Sequence, residues 1–179
     1  MTVPHKSGLE LEPDLRPIDF EAVFHSQYAR IARLIACITR DAGRAEELAV
    51  DVFLKWSASG VTDSSRVYGW LHRTAVRSGL DELRRRTRRE RFERAFQILW
   101  HPRTPEDIYL TLDQQSRVAH AAAAMSRRDA ELLLLRADGM TYEELAATLA
   151  LKPASIGALL SRARKAFRKE YIKRYGRTE

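Results

Sequence analysis

The chain has 179 residues, 45% of them hydrophobic, which is enough for one ordinary domain or two small ones with a genuine core. Its 31 Lys+Arg outnumber 24 Asp+Glu, and the net +7 and pI near 9.8 favour a polyanionic partner. Cys37 is the sole cysteine, which excludes an intramolecular disulfide and a cysteine zinc cluster.

Residues 1–17 carry Pro4, Gly8, Pro13 and Pro17 with little periodic apolar content, and read as a flexible N-terminal arm. Asp19 then caps a helix from Phe20 to about Thr39, with Phe20, Phe24, Ile31, Leu34, Ile35 and Ile38 on its buried side. Asp41 and Gly43 break the chain. A second helix is expected from about Arg44 to Ser57. Ala45, Leu48, Ala49, Val52, Phe53 and Trp56 give it a broad apolar face at helical spacing. Glu46, Glu47, Val50, Asp51 and Leu54 fall on the other side. A face mixing acidic and aliphatic residues serves either as a docking surface or as plain surface.

Gly60–Ser65 is a turn-rich connector. A third helix is expected from about Arg66 into the eighties or nineties. Arg66, Arg73, Arg77 and Arg84 are spaced by seven, four and seven residues, so they line up along one side of a helix. Val67, Leu71, Thr74 and Ser78 lie about a third of a turn away, toward the bundle. Trp70 sits beside the arginine row. Guanidinium groups suit phosphate, and an indole face suits stacking against bases. Burial of Trp70 in the core is the equal alternative on the residues alone. The row runs on into Arg84–Arg94, where seven of eleven residues are Arg, including Arg85 and Arg88. Only Glu90 and Glu93 are near enough in sequence to neutralise them, which favours a polyanion here.

Phe96–Thr111 reads as a flexible linker. Its stretch His101–Asp107 holds two prolines, and Ile98, Leu99 and Trp100 precede it. A second helical domain is expected from about Leu112. Val118, Ala121, Ala122 and Met125 mark one helix. Ser126 with Asp129 is a capping box opening another through Ala130, Leu133, Leu134 and Ala137, closed by Gly139. Thr141 with Glu144 is a second box, starting a short helix whose apolar face is Leu145, Ala146 and Leu149. Ala150–Lys152 is a tight connection. Pro153 fits the first turn of a last helix running to about Arg174. There Ile156, Leu160, Ala163 and Phe167 form one buried stripe, and Ser155, Arg162, Lys165 and Lys169 lie off it. The pair reads as a helix-turn-helix whose second helix suits the DNA major groove.

The histidines His5, His25, His72, His101 and His120 lack metal-ligand spacing. No phosphate loop, nucleophile motif or carboxylate pair supports catalysis, so neither cofactor nor enzyme activity is expected. No run of 18 apolar residues and no signal-peptide core is present, and a cytoplasmic setting is expected.

Taken together, the chain resembles a bacterial RNA polymerase sigma factor of the extracytoplasmic-function group over about residues 18–172. The resemblance implies an all-α fold: residues 18–95 as a region 2-like domain, 96–111 as linker, and 112–179 as a region 4-like helix-turn-helix domain. Ala45–Trp56 is similar to the segment that grips the polymerase β′ clamp helices. Glu46, Glu47, Val50, Asp51 and Leu54 become the implied docking face. Gly69–Arg86 is similar to the segment that melts and reads the −10 element. Trp70, Leu71, Arg73, Asp81, Leu83 and Arg84 match its pattern, and together with the arginine row the expected contacts are Arg66, Trp70, Arg73, Arg77, Arg84, Arg85 and Arg88. Leu132–Leu151 and Ser161–Arg164 are similar to the segment that reads the −35 element, with Thr141, Lys152, Ser155, Ala158, Arg162 and Lys165 as implied contacts. The implied partners are the β and β′ subunits of core polymerase and promoter DNA. Many members of the group are also held inactive by an anti-sigma protein covering both domains.

The chain departs from that pattern in places. Arg77 stands where the family usually has Asn, and Val50 where it has Gln. Gly157, Ala158 and Leu159 replace a basic–Ser–basic run, which removes hydrogen bonds that such a helix makes to DNA. Gly157 also lowers helix propensity. Ser155, Arg162 and Lys165, or shape and phosphate contacts, are left to carry the readout.

Overall fold

Four helix starts in this chain follow capping side chains, those of Asp19, Asp41, Ser126 and Thr141. The computed structural model describes residues 19–100 and 114–176, apart from the side chains of residues 64–65, 93–100 and 114–115. The expected arm at 1–17, most of the linker, and the expected domain start at Leu112 lie outside the described residues. The described residues form seven helices and no strand.

Asp19 accepts from the N–H groups of Glu21 and Ala22 and opens α1 (Phe20–Thr39). Arg40 closes it with φ +59°, a left-handed conformation that costs a non-glycine residue strain but turns the chain within two residues. Asp41 then accepts from the Arg44 N–H and caps α2 (Ala42–Ser57). Gly43, expected as part of a break, therefore lies in the first turn of α2. The predicted α2 face is buried in full: Ala45, Leu48, Ala49, Val52, Phe53 and Trp56. Phe20, expected in the core, is 41% exposed at the end of α1, stacked on Trp56 at 5.2 Å between ring centroids.

α3 (Ser64–Trp100) is longer than expected, and 96–100, placed in the linker by sequence, continue the helix. Nothing before Pro102 interrupts helical propensity, so the helix runs on to the residue before the Pro-containing stretch. Val67, Leu71, Ala75, Val76, Leu80 and Leu83 pack it on α1 and α2, while Thr74 and Ser78 sit at the edge of that contact, half-buried. Gly79 lets the two backbones approach, since a Cβ there would meet the Ile38 side chain at 3.2–3.3 Å.

The rear bundle comprises α4 (Gln114–Ala124), α5 (Arg127–Ala137), α6 (Tyr142–Leu149) and α7 (Pro153–Tyr175). Ser126 caps α5 by accepting from the Asp129 N–H. The residues of α5 that are buried are Ala130, Glu131, Leu132 and Leu135, not Leu133 and Leu134. A run of four leucines is compatible with either helical phase, and packing between α7 and α3 selects the phase that also turns Glu131 inward. Val118, expected in the α4 core, is 45% exposed. The capping box of Thr141 and Glu144 is complete, with Glu144 accepting from the Thr141 N–H at 2.7 Å. Ala150, at φ +53°, turns the chain before Pro153 starts α7. Ile156, Leu160 and Ala163 are buried as expected, and Phe167 is partly so.

The buried apolar residues of the two bundles form one continuous cluster. α3 touches α4, α5 and α6 as well as α1 and α2. That placement decides the surroundings of the arginine row.

Candidate nucleic-acid interface

The regular geometry of α3 does bring Arg73, Arg77 and Arg84 to one side, but that side faces the rear bundle. Arg77 Nε lies 2.8 Å from Glu131 Oε1 and Arg77 Nη2 lies 3.4 Å from Glu131 Oε2. Arg73 Nε lies 3.8 Å from the same carboxylate, and its Nη1 donates to the Thr148 carbonyl at 3.2 Å. Arg84 donates to the carbonyls of Ala123 and Met125 at 3.1 and 3.2 Å, where α4 gives way to α5. In this conformation the row therefore meets the rear bundle. Its central guanidinium groups are held by this chain's own carboxylate and carbonyl oxygens. Arg66, at the helix start, remains exposed, and Trp70 is half-buried against the core, between its two alternatives.

Further along α3 the charges are more open. Arg85 and Arg88 are exposed, and Arg85 is only loosely paired with Glu82 at 3.7 Å. Arg86 is turned to Glu90 at 3.1 Å and to the Thr39 carbonyl at 3.0 Å. Arg84, Arg85, Arg88 and Arg91 line a cleft of about 520 Å³ opposite His120, Arg127 and Arg174. Among the described residues Asp81 is the only carboxylate on its wall, and it is bound to Arg127. Phosphate is the chemical group such a wall accommodates best.

Two more contacts flank the covered row. Asp138, just past α5, receives Arg30 of α1 at 3.3 Å and lies 2.8 Å from Nδ1 of the buried His72. Burial alone pushes the Asp138 carboxyl up, but the neighbouring His72 and Arg30 more than offset this and hold it below its ordinary value. Sequence reasoning missed Glu131, Asp138 and Thr148 altogether. Their partners lie 54, 108 and 75 residues away, and no local pattern carries such a signal.

The face of the rear bundle expected to read DNA is open. Lys152, Ala158, Arg162 and Lys165 are exposed, Ser155 is half-buried, and Thr141 is exposed at the start of α6. Gly157 faces free space, since a Cβ there would meet only the Tyr142 ring at 3.9 Å. On α2 the face formed by Glu46, Glu47, Val50, Asp51 and Leu54 is exposed, with Val50 at 42% and Leu54 at 60%. Glu47 and Glu82 both pair with Arg44, and these bonds hold the guanidinium above its ordinary value. Among the described residues no cluster of His, Cys, Asp and Glu is placed to hold a metal ion, and no helix is long and apolar enough to cross a membrane.

Residues 115–167 match the family model described as sigma-70, region 4. The structure of CnrH in complex with the cytosolic domain of CnrY is similar to this chain, with a TM-score of 0.53 at 20% identity. That likeness covers 84% of this chain and 85% of the other. The sigma factor RpoE of Bartonella quintana, solved in complex with the anti-sigma factor NepR, has a TM-score of 0.49 at 20% identity. It covers 89% of this chain and 99% of its own. No curated protein matches the chain in sequence. The helix-turn-helix bundle is therefore similar to sigma-70 region 4. That match falls in the rear bundle, and the overall fold of the chain is like that of CnrH.

Proposed function

We propose that this chain lends promoter specificity to RNA polymerase core and has no chemistry of its own. The observation that carries the reading is the region 4 match over a helix-turn-helix whose outer face is basic and exposed. In this reading α7 is laid in the major groove of the −35 element, where Arg162 and Lys165 contact phosphates and base edges and Thr141, Lys152, Ser155 and Ala158 border the groove. The front bundle, residues 18–95, binds the −10 element as single strand. Arg66, Arg73, Arg77, Arg84, Arg85 and Arg88 hold the backbone, and Trp70 supports an unstacked base. Unstacking a base costs a few kcal/mol, which pocket contacts and guanidinium–phosphate bonds offset. The α2 face around Val50 and Leu54 docks on the β′ subunit, and the rear domain on β. The reaction takes place in the cytoplasm, where polymerase resides.

RpoE of Bartonella quintana is bound by an anti-sigma factor. An anti-sigma protein that engages both bundles is the corresponding regulatory partner here.

Run-off transcription with core enzyme and the DNA upstream of this protein's own gene tests the reading. A discrete promoter-dependent transcript is expected, and its absence under all salt conditions overturns the proposal. Tight binding of a palindromic duplex without polymerase would instead identify a stand-alone regulator.

A further inference from the structure

We infer that the cationic cleft lined by the C-terminal half of α3 and by α4, α5 and α7 is a binding site for a small molecule bearing a phosphoanhydride chain, either inorganic polyphosphate or a nucleoside polyphosphate. The inference goes beyond the promoter reading and does not rest on it.

Arg85, Arg88 and Arg91 stand on the α3 wall of the cleft, opposite Arg127 of α5 and Arg174 of α7. Positions 84, 88 and 91 recur at spacings of four and three, so α3 stacks like charges along one side, which destabilises a helix unless something neutralises them. The chain's own carboxylates do so only in part. Among the described residues no carboxylate is paired with Arg88 or Arg91. Glu82 reaches Arg85 only at 3.7 Å and is shared with Arg44. Glu170 reaches Arg174 at 3.6 Å. Asp81 is bound to Arg127, but both side chains are about half exposed, and such a pair is weakly held against a competing anion. Arg84 belongs to the frame of the site. It donates to the carbonyls of Ala123 and Met125 and so fixes the end of α4 against α3.

Facing cations on a concave surface add their potentials, and a cleft of about 520 Å³ has space for a compact anion touching both walls. Guanidinium groups match phosphoryl oxygens through paired N–H donors. A phosphoanhydride chain presents several charges within a few bonds and directs oxygens to either wall at once. A polynucleotide instead carries one charge per nucleotide and needs surfaces on which to stack its bases. No Phe, Tyr or Trp is among the described lining residues, where Thr87, Ala123 and Ala124 supply uncharged surface. His120 is buried, with Nε2 turned to Glu90 at 3.5 Å. The site therefore reads phosphates and not a base.

Isothermal titration calorimetry of the full chain, free of DNA and polymerase, tests this with tripolyphosphate, ATP, GTP and orthophosphate at one salt concentration. Tripolyphosphate is expected to form a one-to-one complex about tenfold or more tighter than that of orthophosphate, with ATP and GTP equal to each other. Tighter binding of tripolyphosphate than of the nucleotides identifies the inorganic chain as the ligand, and the reverse order identifies the nucleoside polyphosphate; either supports the site. The double variant Arg88→Gln, Arg91→Gln on one wall and the single variant Arg174→Gln on the other are each expected to weaken tripolyphosphate about fivefold or more. Arg33→Gln, which removes the same charge from an exposed position on α1 away from the cleft, should leave the affinity unchanged. Circular dichroism melting first establishes that each variant is folded like the parent. Orthophosphate binding as tightly as tripolyphosphate, or a strong preference between ATP and GTP, overturns the assignment of the ligand. Equal losses in the Arg33 and Arg174 variants overturn the site, since they would reflect only the attraction of a basic chain for any polyanion.

Discussion

Arg77 of α3 and Glu131 of α5, 54 residues apart in the chain, meet through a two-pronged contact with nitrogen–oxygen distances of 2.8 and 3.4 Å. The arginine side chain is 41% exposed and the glutamate only 4%. That asymmetry has an energetic consequence. Loss of the arginine strands a buried carboxylate with Arg73 at 3.8 Å as its remaining cationic partner, whereas loss of the carboxylate lets the arginine turn to water. Arg77→Ala should cost about 2–3 kcal/mol, below the ~3–5 kcal/mol of a fully buried pair because water already reaches one partner. Glu131→Gln should cost about 1 kcal/mol. Urea denaturation of both single variants and the double variant measures the difference, and equal costs would contradict the asymmetry.

The Asp138 carboxyl is held below its ordinary value in the fold, so its contribution is present above the unfolded carboxylate pKa of about 3.9 and is lost as pH falls through the folded value. Arg30 of α1 and His72 of α3 are the groups facing it. Asp138→Asn should lower the urea midpoint at pH 7 and flatten the loss of stability below about pH 4. A variant with an unchanged acid limb would show that the Asp138 contacts do not stabilise the fold.

Thr141 and Glu144 satisfy each other's backbone N–H groups at the start of α6. Thr141→Ala should cost about 1 kcal/mol and lower the melting temperature by a few degrees. Differential scanning calorimetry reads this directly, and Thr141→Ser should restore most of the loss.

Gly157 is an interior helical position whose missing Cβ would meet only one ring atom, at 3.9 Å. Gly157→Ala should therefore stabilise the chain by about 0.5–1 kcal/mol. Thermal unfolding checks it. A destabilised variant would mean that the start of α7 is not regular helix in solution.

Val50 and Leu54 are exposed on α2, so Val50→Asp and Leu54→Asp should leave the circular dichroism spectrum and melting temperature unchanged. On the polymerase-docking reading each should weaken co-purification with core enzyme by about tenfold or more. Unimpaired binding of both variants would remove this face from the interface.

Much of this architecture was legible in the sequence because it depends on interactions a few residues long. Asp19, Ser126 and Thr141 announce helix starts through bonds to N–H groups two or three residues on. The α2 stripe and the α7 stripe follow from the helical repeat, since one face of each must leave water. The spacing of Arg73, Arg77 and Arg84 likewise placed them on one side of α3. Local pattern failed where two phases or two surroundings were equally compatible with it. The four leucines of α5 did not show which pair would be buried, and the end of α3 ran past the expected boundary into 96–100.

What the side of α3 faces was decided only by tertiary structure. Periodicity places residues on a common face but carries no information about what packs against it. The partners of that face, Glu131, Thr148 and the carbonyls of Ala123 and Met125, come from helices tens of residues away. The sequence alone determined a chain of capped, amphipathic helices ending in a basic one. The folded contacts determined that the arginine row of the first bundle is covered by the second. The physical reason is that a buried carboxylate and unpaired guanidinium groups each lower their free energy by meeting, at whatever separation along the chain.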